Sequence, residues 1–412
     1  MTTRTSPRRR VVMKFGGSSV ATLERLSSVA AQVIQRRREG WDVAVVVSAM
    51  GDATDRLLEQ AKAVAGEPDR RELDMLLSVG ERISMALLAM AIREAGLEAV
   101  SLTGSQSGII TTASHARARI MEVRPFRVED ELEADRVVIV AGYQGVSYRR
   151  EITTLGRGGS DTTAVALAAA LGADACEIYS DVDGVFTADP RVVPAATRLS
   201  ALTHEEMQEL AEAGAKVLNA QAVEFARERG IALYARKTGS SGAGTVIRTH
   251  LPQASTGVRG IAHLTRVLAV FAPAVSAEAA ASLLDALDEA EIAPRGFAHG
   301  APGASGPLEM VLALDDLHAP SVLRRAVETH LGPDRIREDM GVVSLVGAGI
   351  GRAPRLVARA VRAARQHAEV ARVTTSSFRV TLWVGTDEVQ AVVRALHTAM
   401  GLDSPAEIAD LE

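Results

Sequence analysis

Aromatic residues are scarce in this chain: Phe, Tyr and Trp make up 3% of 412 residues. Platforms that stack nucleobases depend on such rings, so the composition argues against that use. Charge of one sign is missing too, with 46 Lys plus Arg against 51 Asp plus Glu and a formal net charge of −5. That balance supplies no general attraction to a polyanion or to an anionic membrane surface, and neither nucleic acid nor membrane is an expected partner. Cysteine occurs once, at Cys176. It allows no disulfide within the chain and points to a reducing compartment. Set in Cys176-Glu-Ile-Tyr179, it reads as a small buried side chain rather than a nucleophile. No uninterrupted apolar run approaches the length of a membrane span. The apolar stretch after Arg8-Arg9-Arg10 is interrupted at Lys14, too soon for a signal-peptide core, so the arginines read as a frayed tail of a soluble, cytoplasmic protein. Also absent are a Walker Gly-x-x-x-x-Gly-Lys-[Ser/Thr] loop, a protein-kinase His-Arg-Asp loop and zinc-type Cys/His spacing.

Hydrophobic residues are plentiful, at 47%, enough for the cores of two or three domains. The most informative stretch is 152–171, Ile-Thr-Thr-Leu-Gly-Arg157-Gly-Gly-Ser-Asp161 followed by an Ala- and Leu-rich run that ends at Gly172. A glycine turn feeding a helix N-terminus exposes unpaired N–H groups at the positive end of the helix dipole, a ready anion site. Gly-Gly-Ser-Asp alone is equally a tight turn capped by Ser160 or Asp161. Arg157 favours the anion, because a turn needs no cation.

The chain opens as strand 11–15, glycine turn Gly16-Gly17, helix, then the β-branched strand Val43–Val47, typical of a parallel sheet buried on both faces. The alternation continues with a helix over about 72–95, strands near 99–102, 137–141, 177–180 and 231–235, and a capping box at Thr203-His-Glu-Glu206. The expected fold is α/β, an open sheet with helices on both faces. From Thr238 to Thr256 the composition turns to Gly, Ser and Thr, the best domain boundary. Beyond it, strands and helices form two successive β-α-β-β-α-type units, a duplicated ferredoxin-like module suited to binding or assembly. The expected divisions are a disordered tail at 1–10, the α/β domain at 11–248, a linker at 249–258 and the two modules at 259–335 and 336–412.

Ligands of open α/β sheets collect at the carboxyl ends of strands. There lie Lys14-Phe-Gly-Gly17, the polar loop Ser48-Ala-Met-Gly-Asp-Ala-Thr54-Asp55, and Ser180-Asp181 running on to Asp189. Each could be an ordinary βα turn or capping cluster; together they point to one crevice. Gly80-Glu81 sits where helix glycine costs about 1 kcal/mol against alanine, which a close approach at Gly80 would explain; Glu81 reads equally as a solvated helix residue. Lys216 follows a helix and is otherwise an ordinary surface lysine.

Taken in order, Lys14–Val20, Val46–Asp55, Leu76–Ser84, Thr153–Leu171 and Tyr179–Pro194 resemble the motifs of the aspartate kinases, in the amino acid kinase superfamily. The doubled C-terminal region resembles their tandem ACT domains. The resemblance implies ATP-dependent phosphorylation of the L-aspartate β-carboxylate to 4-phospho-L-aspartate, towards lysine, threonine and methionine. It implies catalytic roles for Lys14, Arg157 and Asp161, and aspartate contacts from Thr54, Asp55, Glu81, Arg157, Gly158, Gly159 and Ser160. ATP would meet Lys14, Phe15, Gly16, Gly17, Ser48, Ser160, Ser180, Asp181, Phe186, Asp189, Arg191, Lys216 and Val217, with Mg²⁺ carried mainly by its phosphates. A homodimer or higher homo-oligomer and a lysine or threonine effector at the ACT domains are also implied. Rival readings are a related kinase of another carboxylate and a catalytically weak ACT-type ligand sensor. The chain departs from the family pattern at Asn219-Ala220-Gln221, where His-Pro-Arg is usual, and at Arg236-Lys237-Thr238, where Arg-Ser-Ser is usual. The first ACT turn, Ala272–Glu278, also lacks the usual glycine and aspartate. Feedback inhibition weaker than, or different from, the usual lysine plus threonine is therefore expected.

Overall fold

A computed structural model describes residues 8–156, 158–240, 242–251, 257–290, 292–300, 305–314 and 320–403. Two compact units result. The first comprises Met1–Val185, Arg198–Gln208 and Lys216–Gln253; the second comprises Phe186–Thr197, Glu209–Ala215 and Ala254–Glu412. Two stretches inside the expected 11–248 domain, at 186–197 and 209–215, thus group with the second unit.

In the first unit the chain runs β1 (Arg10–Phe15), α1 (Leu23–Arg38), β2 (Asp42–Val47), α2 (Ala53–Val64), α3 (Arg70–Leu77), α4 (Val79–Glu94), β3 (Ala99–Leu102), β4 (Ile109–Thr111) and β5 (Ile120–Val123). It continues through α5 (Phe126–Glu133), β6 (Val137–Ala141), β7 (Gln144–Ser147), β8 (Ile152–Thr154), α6 (Gly159–Ala170) and β9 (Ala175–Ser180). After β10 (Ala201–Thr203) and α7 (His204–Glu212), which reaches into the second unit, come α8 (Ala220–Arg229), β11 (Leu233–Lys237) and β12 (Thr245–Arg248).

Eight strands form the main sheet in the order β10-β12-β11-β9-β1-β2-β6-β3, parallel except where β11 meets β12. All six residues of β2 are buried, as suits its Val-rich run in a parallel sheet covered on both faces. Phe15 is in register with Val47 and Tyr179, and Val47 with Ala141, so the loops after β1, β2, β6 and β9 leave one edge together. That edge carries the site. Helix α6 is buried nearly all round, which explains an Ala- and Leu-rich sequence with no polar stripe. Its glycine loop is fed by a second sheet, β5-β4-β7-β8. The strand before the loop is pinned by fully buried Asp74, which accepts from Thr154 Oγ1 at 2.5 Å and the Ala116 N–H at 3.1 Å.

The expected helix at 72–95 is two helices broken at Ser78. Residues 70–94 are long and apolar enough to cross a membrane, but half of their most apolar 18-residue window is buried in the protein. Leu88 and Ile92 pack with Val29 and Val33 of α1 in the sheet's core. Arg8–Arg10 do not fray as expected. Arg8 pairs with Asp135 at 2.7 Å, Arg9 stacks 4.1 Å over Trp41, and the Arg10 N–H donates to Asp174 Oδ2 at 2.7 Å as β1 begins.

The second unit contains β13 (Gly260–Leu264), β14 (Val267–Ser276), α9 (Ala277–Glu289), β15 (Gly296–His299), β16 (Ser305–Ala313), α10 (Pro320–Leu331) and β17 (Ile336–Arg337). Then come β18 (Met340–Val346), α11 (Pro354–Arg365), β19 (Arg372–Thr375), β20 (Arg379–Gly385) and α12 (Val389–Met400). Its sheets are β15-β16-β14-β17 and β13-β18-β20-β19. The modules are therefore nested rather than simply successive. The strand 260–264, placed by sequence in the first module, pairs from Gly260↔Val346 to Leu264↔Val342 in the second sheet. All of β18 is buried, and β13 closes its edge. The alternation of β14 sends Leu268, Val270 and Ala272 under α9 and α10, while Val267 and Ala269 face Met340, Val342 and Trp383 of the other sheet.

Candidate active site

Strand alternation and register decide which side chains can reach the site edge. Lys14, the only partly exposed residue between buried Met13 and Phe15, leaves β1 toward α6. Its Nζ lies 2.7 Å from Asp161 Oδ1, both side chains about nine-tenths buried. Asp161 is in the first turn of α6, where the helix dipole favours an anion. Gly158 caps that helix with φ +77°, a left-handed conformation that suits glycine. Across the cavity, α4 presents Glu81, 3% exposed. Glu81 Oε1 accepts the Ala49 N–H at 3.0 Å; Oε2 is buried and has no hydrogen-bond partner among the described residues. Burial pushes the Glu81 carboxyl up to about 7, although the Ala49 N–H opposes the rise.

One cavity of about 290 Å³ is lined by Lys14, Gly17, Ser48, Thr54, Glu81, Gly158, Gly159, Ser160 and Asp161, all expected from sequence, and also by Ala49, Gly51, Tyr143 and Gly156. Gly80 supplies the anticipated close approach: a Cβ there would fall 2.7 Å from Ala49 Cβ. Arg157 lies outside the described residues.

Other expected residues stand elsewhere. Asp55 is in the exposed first turn of α2 and does not line the cavity, because α2 turns Thr54 inward instead. Phe15 gives no ligand contact through its ring, which is fully buried and stacked on Tyr179 with centroids 4.8 Å apart. The Gly16 N–H donates to Tyr179 O at 3.2 Å. Ser180 ends β9, and Asp181 follows it exposed. Phe186, Asp189 and Arg191 belong to the second unit, where the Arg191 guanidinium grips Asp189 at 2.8 and 3.0 Å and holds that carboxyl below its usual range. Lys216 is exposed and Val217 half-buried, in the first unit but not on this cavity.

Tyr143 had no sequence signal. Its φ of +66° is unusual for a bulky residue, and its N–H donates to Thr163 Oγ1 on α6 at 3.2 Å. Ala49 likewise carries no signal in its residue type, yet its main-chain N–H holds Glu81.

A model of the amino acid kinase family matches residues 9–235. The aspartokinase of Mycolicibacterium smegmatis is 42% identical over 410 residues, 96% of this chain and 97% of its own. That of Corynebacterium glutamicum is 42% identical over 409 residues, with the same coverage. The chain belongs to the aspartokinase family. The fold agrees: Escherichia coli aspartokinase III, solved with aspartate and ADP, superposes with a TM-score of 0.82 at 23% identity, covering 95% of this chain and all of that one. Within the aspartokinase pattern, the departure at Asn219 opens α8: Asn219 Oδ1 accepts the N–H groups of Gln221 and Ala222 at 3.0 and 3.2 Å.

Proposed function

We propose that this aspartokinase-family enzyme uses the Lys14–Asp161–Glu81 cavity to move the γ-phosphoryl of ATP onto the β-carboxylate of L-aspartate. The observation that carries the reading is the pairing of opposite demands in one small cavity. A cation sits beside a helix N-terminus at one side, and at the other a buried carboxylate oxygen with no donor among the described residues. Phosphate and carboxylate suit the first, and the substrate ammonium suits Glu81 Oε2. The nucleophile is a carboxylate of reference pKa about 3.9, ionised at neutral pH, so no general base is needed. Catalysis then consists of aligning two anions and stabilising charge on the moving phosphoryl group. Lys14 and the N–H groups at the start of α6 do so, Asp161 holds Lys14 in place, and Thr54 and Ser160 add hydroxyl contacts. Ser180, Asp181, Lys216 and Val217 are assigned to ATP on the family pattern.

No group of three or more His, Cys, Asp or Glu that could hold a metal occurs among the described residues. A Mg²⁺ ion carried mainly by the ATP phosphates would need at most one or two protein carboxylates. Such an ion would neutralise phosphate charge. ADP release measured with each candidate amino acid should require aspartate. Release with another carboxylate, or none with any, would replace this reading with one of the rivals.

The second unit is assigned effector binding, homodimerisation and a cytoplasmic setting like that of the whole chain. Strand β14 runs to Ser276, which caps α9 through the Ala279 N–H at 3.1 Å, and no glycine opens that turn. Backbone N–H groups there have less room to approach a ligand than in the family's glycine turn. A separate cavity of about 140 Å³ opens beside Arg295, Glu309, Ser344, Arg372, Thr381 and Trp383, where Arg372 is ion-paired with Glu309. Lysine and threonine, titrated separately and together at subsaturating aspartate, should inhibit weakly, since an effector acts only through its difference in affinity for two states. Strong cooperative inhibition at sub-millimolar levels would contradict this. Light scattering should find a dimer at micromolar concentration; a monomer would remove the assembly assignment.

A further inference from the structure

The Asp161 carboxylate has two sides. Oδ1 holds Lys14 at 2.7 Å, and Oδ2 accepts the main-chain N–H of Asn219 at 3.3 Å. Asn219 therefore touches the partner of the catalytic lysine without lining the cavity itself. Its own backbone is fixed by its side chain. With φ −75° and ψ 134°, it has the extended geometry of an N-cap, and Oδ1 takes the N–H groups of Gln221 and Ala222. The same side chain lies against the glycine loop. A Cβ added to Gly158 would come within 2.1 Å of Asn219 Nδ2 and 2.5 Å of its Cγ. One side chain thus caps α8, directs an N–H at Asp161 and packs on the residue that opens α6.

The residue types explain how this replaces the family's His-Pro-Arg. Proline at the first helical position presets φ and fixes where a helix begins. This chain has Ala220 there, which presets nothing, and an asparagine at the position before it, which fixes the same start by a side-chain cap. The departure thus exchanges one way of starting α8 for another.

We propose that Asn219 is a positioning residue for phosphoryl transfer: its side-chain cap fixes the N–H that orients Asp161, and Asp161 in turn holds Lys14. The proposal rests on the Lys14–Asp161 reading of the site. The Asn219 side chain does not line the cavity and reaches the reacting groups through Asp161 and through its packing on Gly158, so its loss lowers the turnover of bound substrate more than it alters binding. Misplacement by about 1 Å can cost up to about 10²-fold in rate.

The test compares Asn219→Ala and Asn219→Ser with wild type and Lys14→Ala, measuring kcat, both KM values and Tm. Alanine removes the cap; serine restores an oxygen acceptor for the first turn. Asn219→Ala is expected to lower kcat about 10-fold or more with both KM values within about threefold, at a temperature where circular dichroism shows it folded. Asn219→Ser should recover most of that loss. A cap that only stabilised α8 would lower the Tm of Asn219→Ala and leave its kcat at the wild-type value below that Tm, which would overturn the proposal. A loss of kcat that serine does not recover would overturn the route through the cap. Full turnover in Lys14→Ala would instead remove the underlying site reading, whatever the Asn219 variants do.

Discussion

Lys14→Ala should lower kcat by about 10²-fold or more, with a smaller change in the aspartate KM. Lys14 is the one cation among the described residues that line the cavity, and its side chain is nearly shut off from water. In that setting a positive charge acts on the moving phosphoryl group with little solvent screening, and its stabilisation grows as charge develops in the transition state. Removing it also leaves the Asp161 carboxylate without its ion-pair partner, so some stability is lost with the activity. Assay temperature must therefore stay below a Tm measured on the variant. Lys14→Arg serves as the second probe. A guanidinium keeps the charge but presents a planar fork in place of a compact ammonium, so it should recover stability more than turnover. Near-wild-type turnover in folded Lys14→Ala would withdraw the catalytic assignment.

The parts of this molecule that were legible in sequence are those set by local rules. A Val-rich run became the fully buried strand Asp42–Val47, and the Thr203/Glu206 capping box has both of its reciprocal bonds, at 3.0 and 3.1 Å. The glycine-rich stretch at 156–161 was conspicuous because glycine turns are readable one residue at a time. What was missed depends on distant partners. The strand 260–264 has only five residues and takes its place from β18, some eighty positions later, so no periodicity in its neighbourhood reveals the nesting. Asp55 looked equivalent to Thr54 in a polar loop, but the helix that begins at Ala53 sends one inward and the other to solvent. Tyr143 reaches the cavity through a left-handed backbone conformation that its residue type disfavours. Asn219 stood out only as a departure, and its meaning needed the position of Asp161, fifty-eight residues away.

Glu81→Gln should trade substrate affinity for stability, and the two effects have opposite signs at the same residue. Loss of a charge-assisted contact with the aspartate ammonium is expected to raise the aspartate KM about 10- to 100-fold, leaving the ATP KM within about threefold. The stability effect comes from burial. The Glu81 carboxyl rises from 4.5 to about 7 on folding, chiefly through desolvation. Between those values the folded state binds more protons than the unfolded state, so this group's contribution to stability falls as pH rises through the window and stays low above it. The difference of about 2.5 pH units corresponds to the order of 3 kcal/mol near pH 8. Glutamine has no charge to desolvate and keeps an oxygen for the Ala49 N–H. Its Tm should therefore exceed that of wild type at pH 8, and the gap should close towards pH 4.5. The wild-type enzyme should show the same ionisation in its kinetics: its aspartate KM should increase as pH falls below about 7, while that of Glu81→Gln stays flat. Thermal unfolding at both pH values, with aspartate and ATP KM values from pH 5.5 to 8.5, reads each arm separately. A change confined to the ATP KM would put Glu81 on the other substrate, and a lower Tm at pH 8 would show that the buried carboxylate stabilises the fold.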